Sequence, residues 1–252
     1  MSRNILLTLK FDGTAYHGWQ LQSNAVSVQQ RVNEAVNAVL HENINASGCS
    51  RTDTGVHAQM FCCNFHTEKS IPAEKLIPAV NYYLPDDIAV YKALEVAPEF
   101  HARFSCKSKE YVYRICNTPY RDPFYEHRAL FYPPMLNEAL LNEEIQAFVG
   151  YHDFTSFCSS GGSVEDKRRT VYAASAQRSG DLVDIRIHGD GFLYNMVRII
   201  VGTLLYVHMG KIARGTIPDI IKAKDRTAAG ITAPPQGLYL NRIYYDGVNL
   251  LE

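Results

Sequence analysis

One stretch sets an acid where chemistry could use it. Gly48-Cys49-Ser50-Arg51-Thr52-Asp53-Thr54-Gly55-Val56-His57-Ala58 lacks apolar periodicity and holds Asp53 between a cation, Arg51, and a glycine turn. Asp tolerates left-handed backbone and Gly supplies positive φ, so Asp53-Thr54-Gly55 predicts a turn. A turn with a structurally helpful aspartate is one reading. The other is a reactive carboxylate, a sound nucleophile because it can attack and later leave. Such an acid must be charged and aimed. A guanidinium within reach does both, lowering its pKa and fixing it through two parallel hydrogen bonds. Arg198 is the candidate partner, on a helical segment where it shares a face with Gly191, Asn195 and Gly202. A glycine on that face lets another segment approach closely, which argues against a plain solvent face. Arg51 stands two residues before Asp53, so in extended backbone both side chains point the same way. Tyr111 and Tyr113 share one face of a strand-like run; a phenol there offers a π-face and a hydroxyl for proton traffic, or else ordinary strand core. His57, in a turn, is read as structural.

The elements that must position these groups follow from periodicity. Residues Asn4 to Asp12 alternate as a strand, and Asp12-Gly13-Thr14 turns into an aromatic loop whose Trp19 reads as a core plug. Ser27 and Gln30 form a capping box ahead of a helix to about His41. Met60 to Thr67 reads as a strand, a helix starts at Pro72, and Ile88 to Val96 is another strand. In the second half, Lys109 to Cys116 is a strand, Pro119 to Pro134 a long loop, and Asn137 to Val149 a helix. Thr170 to Gln177 and Leu182 to His188 make a hairpin through Ser179-Gly180-Asp181. Leu193 to His208 is the clearest helix, Ile217 to Ala223 a short one, and Leu238 to Tyr245 the last strand. The pattern predicts an α+β chain: residues 1–100 form an N-terminal α/β domain carrying the Asp53 loop, and residues 101–252 a C-terminal one.

Composition narrows the classes. The hydrophobic fraction is 46%, enough for real cores. Formal net charge is −1, no footprint of a non-specific nucleic-acid binder, so any RNA affinity must come from local cations such as Arg103, Lys107, Lys109, Arg114, Arg121 and Arg128, or Lys167-Arg168-Arg169. No stretch is apolar enough to span a bilayer. The six cysteines form no C-x-x-C pair, which predicts reduced thiols, a cytoplasmic location and no zinc site.

Several motifs together resemble the tRNA pseudouridine synthase A family. Arg51-Thr52-Asp53-Thr54-Gly55-Val56-His57-Ala58 matches its Arg-Thr-Asp-x-Gly-Val-His-Ala motif, and the likeness runs from Phe11-Asp12-Gly13-Thr14-Ala15-Tyr16-His17-Gly18-Trp19-Gln20 through Lys109-Glu110-Tyr111-Val112-Tyr113 and Met196-Val197-Arg198 to Gly237-Leu238. The resemblance implies two similar ferredoxin-like α/β halves, their antiparallel or mixed sheets joined into one, helices on one side and a cleft between the halves. It implies Asp53 as nucleophile, Arg198 as its ion-pair partner and Tyr111 stacked on the target uracil. It implies Arg51 beside the flipped nucleotide and Leu238 as an apolar pocket wall. The implied substrate is a uridine in the anticodon stem-loop of tRNA, with no cofactor and no metal, in a homodimer. The family usually has Ala-Gly where Cys49-Ser50 stand, Ala at Thr54 and His at Asn195. Three alternatives compete with this reading: a paralogue acting on another RNA, a non-catalytic RNA-binding module, and a dimeric aspartic protease suggested by Asp53-Thr54-Gly55. Strong helices around that triplet argue against the protease.

Overall fold

A computed structural model of the chain describes residues 2–162 and 164–250. The protein is α+β, with ten strands and five α-helices among those residues. They divide into two units: the chain up to Lys107 together with the stretch from Leu240 onward, and Ser108–Tyr239.

The first unit contains β1 (Arg3–Phe11), α1 (Val28–Leu40), β2 (Ser47–Gly48), β3 (His57–Thr67), α2 (Ala73–Tyr83) and β4 (Ile88–Val96). β1 lies between β4 and β3, antiparallel to both, with Leu7 opposite Ala93 and Cys63. β2 pairs with the far edge of β3. The alternation of β1 predicts one buried face, yet Ile5, Leu6, Leu7, Thr8 and Leu9 are all buried, because a central strand covered on both faces has no solvent side. Only half of the predicted capping box forms. Gln30 N donates to Ser27 Oγ at 3.3 Å, but the Gln30 side chain turns away to Glu34 Oε1 at 2.9 Å. α1 buries Val28, Val32, Ala35, Val36 and Leu40 and packs on α2, which packs on β4.

The division falls beyond residue 100, for a specific reason. Two buried amides capture the segment after β4: Asn4 Nδ2 donates to the carbonyls of Ala97 (3.0 Å) and Phe100 (2.8 Å), while Asn64 accepts from Ala102 N at 2.8 Å. The last strand joins them, since Tyr245 Oη donates to Ala102 O at 2.6 Å and its ring meets Phe100 at 5.0 Å. The closing residues therefore sit with the first unit and not with residues 108–239.

The second unit holds most of β5 (Cys106–Cys116), then β6 (Leu130–Phe131), α3 (Glu138–Glu144), β7 (Gly150–Asp153), β8 (Arg168–Ser179), β9 (Leu182–Gly189), α4 (Met196–His208), α5 (Ile217–Ala223) and the start of β10 (Leu238–Tyr245). Its strands run in the order β5-β9-β8-β7, all antiparallel, with β6 parallel to β5. The hairpin turns at Gly180, where φ is 58°. The helix expected over 137–149 is α-helical only to Glu144 and ends in a 3-10 turn, Ile145–Phe148. β5 and β9 register Tyr111, Tyr113 and Ile115 against Ile187, Ile185 and Val183, and all six are buried.

α4 starts at Met196, three residues later than its apolar periodicity suggests. Ten of its thirteen residues are buried, so it is a helix enclosed on nearly every side and not a surface amphipath. Gly202 explains how its second face is covered. A Cβ there would stand 1.8 Å from Ile231 O, and one on Gly230 would stand 2.5 Å from Gly202 O. Thr203 Oγ1 accepts from Gly230 N at 2.9 Å and donates to Ile199 O at 2.8 Å, fastening the crossing. Gly202→Ala ought to gain about 1 kcal/mol of helix propensity. The backbone collision outweighs that gain, since overpacking of this kind costs about 1–3 kcal/mol. Thermal unfolding is expected to show a lower Tm for Gly202→Ala; a higher Tm would mean the crossing yields without strain.

Candidate active site

Asp53 lies half-buried in the loop between β2 and β3, in the first unit. The predicted turn is present: Val56 N donates to Asp53 O at 3.2 Å, and Gly55 takes φ of 76°. The loop is held from behind by the segment after β1. Trp19 N donates to Thr52 O (3.4 Å), Gly55 N to Tyr16 O (3.2 Å), and Gly13 N to His57 Nδ1 (3.0 Å). These approaches leave no room for side chains. A Cβ on Gly13 would lie 2.0 Å from Val56 O, and one on Gly18, with φ of 76°, would lie 2.1 Å from Thr52 O. Trp19 is buried against Phe61, ring centroids 4.2 Å apart, and Gly48 clears space for its indole. Arg51 sits on the same loop and is exposed.

Tyr111, Arg198 and Leu238 belong to the second unit. Tyr111 is 6% exposed on β5, with the Phe192 ring edge-on at 5.0 Å. Its neighbour Tyr113 is wholly buried, and its hydroxyl donates to Pro234 O at 2.7 Å. Burial pushes the Tyr113 phenol up, an effect the Arg198 cation only partly opposes, and the ring acts as a brace through its bond to Pro234. What it braces is the 3-10 turn Pro235–Gly237: a Cβ on Gly237 would lie 2.7 Å from the Tyr113 ring and from Arg114 O. That turn sets Leu238, buried at the first position of β10.

Arg198, in the first turn of α4, is half-buried. Its Nε donates to Ala233 O and its Nη1 to Asn195 Oδ1, each at 2.7 Å. Ala233 N returns a bond to the Arg198 carbonyl at 3.0 Å. Sequence reading placed Asn195 and Gly202 on the Arg198 face, but it missed Phe192, Ala233 and Tyr16 as supports. Only backbone groups serve at Ala233 and Tyr16, which leaves no side-chain signal to read. Among the described residues, no group of three or more His, Cys, Asp and Glu could hold a metal ion, and no helix is long and apolar enough to cross a membrane.

His57 is 2% exposed and serves the loop. Its Nδ1 stands 3.0 Å from Gly13 N and 3.1 Å from Asp12 Oδ1. The imidazole, followed by the Thr14 hydroxyl and amide, holds the Asp12 carboxyl well below the usual carboxylate range against the opposing effect of burial. A carboxyl depressed on folding stabilises the fold above its unfolded value of about 4, and that contribution is lost as pH falls through the folded value. Asp12→Asn should therefore lower Tm at neutral pH, with the gap to the wild type closing under strongly acid conditions. A gap that stayed constant from neutral to acid pH would contradict this.

The model of the tRNA pseudouridine synthase family matches residues 8–105 and 145–246. The tRNA pseudouridine synthase A of Thermoanaerobacter sp. (strain X514) is 49% identical over 243 residues, covering 96% of this chain and 100% of the relative. That of Ruminiclostridium cellulolyticum is 46% identical over 244 residues, again covering 96% and 100%. Among solved structures, a crystal structure of a Cbf5-Nop10-Gar1 complex aligns with a TM-score of 0.37 at 12% identity, over 94% of this chain and 57% of that one. On the family match and the near-full-length relatives, this chain belongs to the tRNA pseudouridine synthase family.

Proposed function

We propose that this protein isomerises uridine to pseudouridine in tRNA with Asp53 as the nucleophile. Family membership supports the reaction class, an isomerase. The observation that carries the residue assignment is the clamped turn: Asp53 sits on backbone fixed by Trp19, Tyr16 and two glycines that tolerate no side chain. Rigid presentation of a reacting group is what converts binding into rate.

The chemistry is balanced within the substrate. The N1–C1′ bond breaks, the uracil turns, C5 bonds to C1′, and the proton on C5 leaves for N1 or solvent. Product and substrate are isomers, so the reaction consumes no oxidant, reductant or co-substrate. In this reading Asp53 attacks and is later displaced. Arg198 keeps it ionised and aimed through a guanidinium fork. Tyr111 stacks on the uracil, Leu238 gives the base an apolar wall, and Arg51 meets the backbone of the nucleotide that must leave its helix. The proposal extends to a uridine of the anticodon stem-loop as target, a homodimer as the working form and the cytoplasm as location. Near-full-length likeness to tRNA pseudouridine synthase A supports this extension.

Two variants test the roles by pseudouridine quantification in transcript tRNA. Asp53→Asn is expected to abolish conversion while the tRNA dissociation constant stays within about twofold, because an amide is isosteric but cannot act as the nucleophile. Sustained turnover by that variant would remove Asp53 from the mechanism. Tyr111→Phe keeps the ring and is expected to retain activity within about tenfold, whereas Tyr111→Ala loses stacking of about 1–3 kcal/mol. Equal loss in both would move the essential role from the ring to the hydroxyl.

A further inference from the structure

We infer that Asn195 is a positioning residue for Arg198 and that it works because its acceptor is neutral. The inference rests on the reading of Arg198 as the partner of the nucleophile. It begins with a cap that does not cap. Asparagine at the N-cap of a helix normally adopts extended backbone and turns its side-chain oxygen onto the N–H of N2 or N3. Asn195 does neither: it takes φ of 61° and ψ of 9°, and its side chain makes no capping bond to α4. A non-glycine residue in the left-handed region costs about 1 kcal/mol, and the missing cap about another 1 kcal/mol. Where a local rule is broken at a cost, function is the first place to look for the compensation.

The side chain has been redirected. Its Oδ1 accepts from Arg198 Nη1 at 2.7 Å, and its Nδ2 donates to Ser159 Oγ at 2.9 Å. Chemistry fixes this orientation of the amide, because a guanidinium has donors only and needs the oxygen. Ser159 is itself anchored, since its N–H donates to Tyr194 O at 3.1 Å. With Nε held by Ala233 O, the planar guanidinium is pinned on two of its three nitrogens and its rotation is fixed. A neutral amide can do this without taking the charge. A carboxylate at the same place would pair with the guanidinium and draw it from the nucleophile.

The test uses the full-length protein, with single-turnover rate at saturating tRNA, tRNA dissociation constant and Tm measured for each variant. Asn195→Gly accepts the left-handed backbone and is expected to slow the reaction about tenfold, the loss of one hydrogen bond to a charged group. Its dissociation constant and Tm should match the wild type. Asn195→Asp is expected to be slower than Asn195→Gly, again with binding and Tm unchanged. Ser159→Ala, which leaves the start of α4 intact, should lose about threefold in rate alone, part of one hydrogen bond's worth. A wild-type rate in Asn195→Gly, an Asn195→Asp at least as fast as the glycine variant, or rate losses that track Tm would each overturn the inference. Arg198→Ala separates the two levels. Inactive, it leaves the reading of Arg198 standing whatever Asn195 does; fully active, it removes that reading and the inference with it.

Discussion

Backbone occupies the space where side chains would otherwise stand at Gly13 and Gly18, and the Asp53 loop depends on that exclusion. The carbonyls of Val56 and Thr52 come so near that any Cβ would collide with them. The turn carrying Asp53 is thereby held by main chain against main chain, with no flexible side chain between. The second unit repeats the device. Gly202 and Gly230 let the 230–233 segment lie directly on α4, which delivers the Ala233 carbonyl to Arg198, and Gly237 lets a turn close on the Tyr113 ring ahead of Leu238. Side chains that rise from main chain packed on main chain start from a fixed backbone, the kind of support that preorganisation needs.

Charge is handled just as locally. The cationic runs that suggested an RNA-facing surface are in part consumed within the protein. Arg114 pairs with Asp184 at 3.1 Å and lies over the Tyr239 ring, Lys107 meets Asp246 at 3.1 Å, and Arg168 is bound by Asp166 at 2.9 Å. The net charge of −1 leaves no overall excess of cations, and Arg51 is exposed. Arg198 is different in kind from these surface ions. It is half-buried, with Nε on a backbone carbonyl and Nη1 on a neutral amide.

Local signals carried far into this structure. The Asp53 turn with its positive-φ glycine, the strand that alternates Tyr111 and Tyr113 inward and the apolar stripe of α4 all follow from spacing and turn chemistry alone. What escaped is whatever depends on a distant segment. The two-residue β2 and the short β7 are defined by their partners and have too few residues for a period. β1 reads as half-exposed because alternation cannot report a strand buried on both faces. Periodicity puts the start of α4 at Leu193 because it runs through that residue, whereas the left-handed Asn195 breaks the helix there for a side-chain interaction that no spacing encodes. The Asn4–Asn64 pair that fastens residues 97–102 to the first unit is likewise silent in the sequence.

The central claim is that a planar guanidinium fork, and not merely a positive charge, orients the proposed nucleophile. Arg198→Lys keeps the charge and removes the fork. The single-turnover rate of pseudouridine formation at saturating tRNA is the most direct test. A fall of about tenfold or more with the tRNA dissociation constant unchanged is the predicted result, since bidentate geometry is worth more than one ordinary hydrogen bond. A lysine enzyme that turns over at the wild-type rate would contradict it.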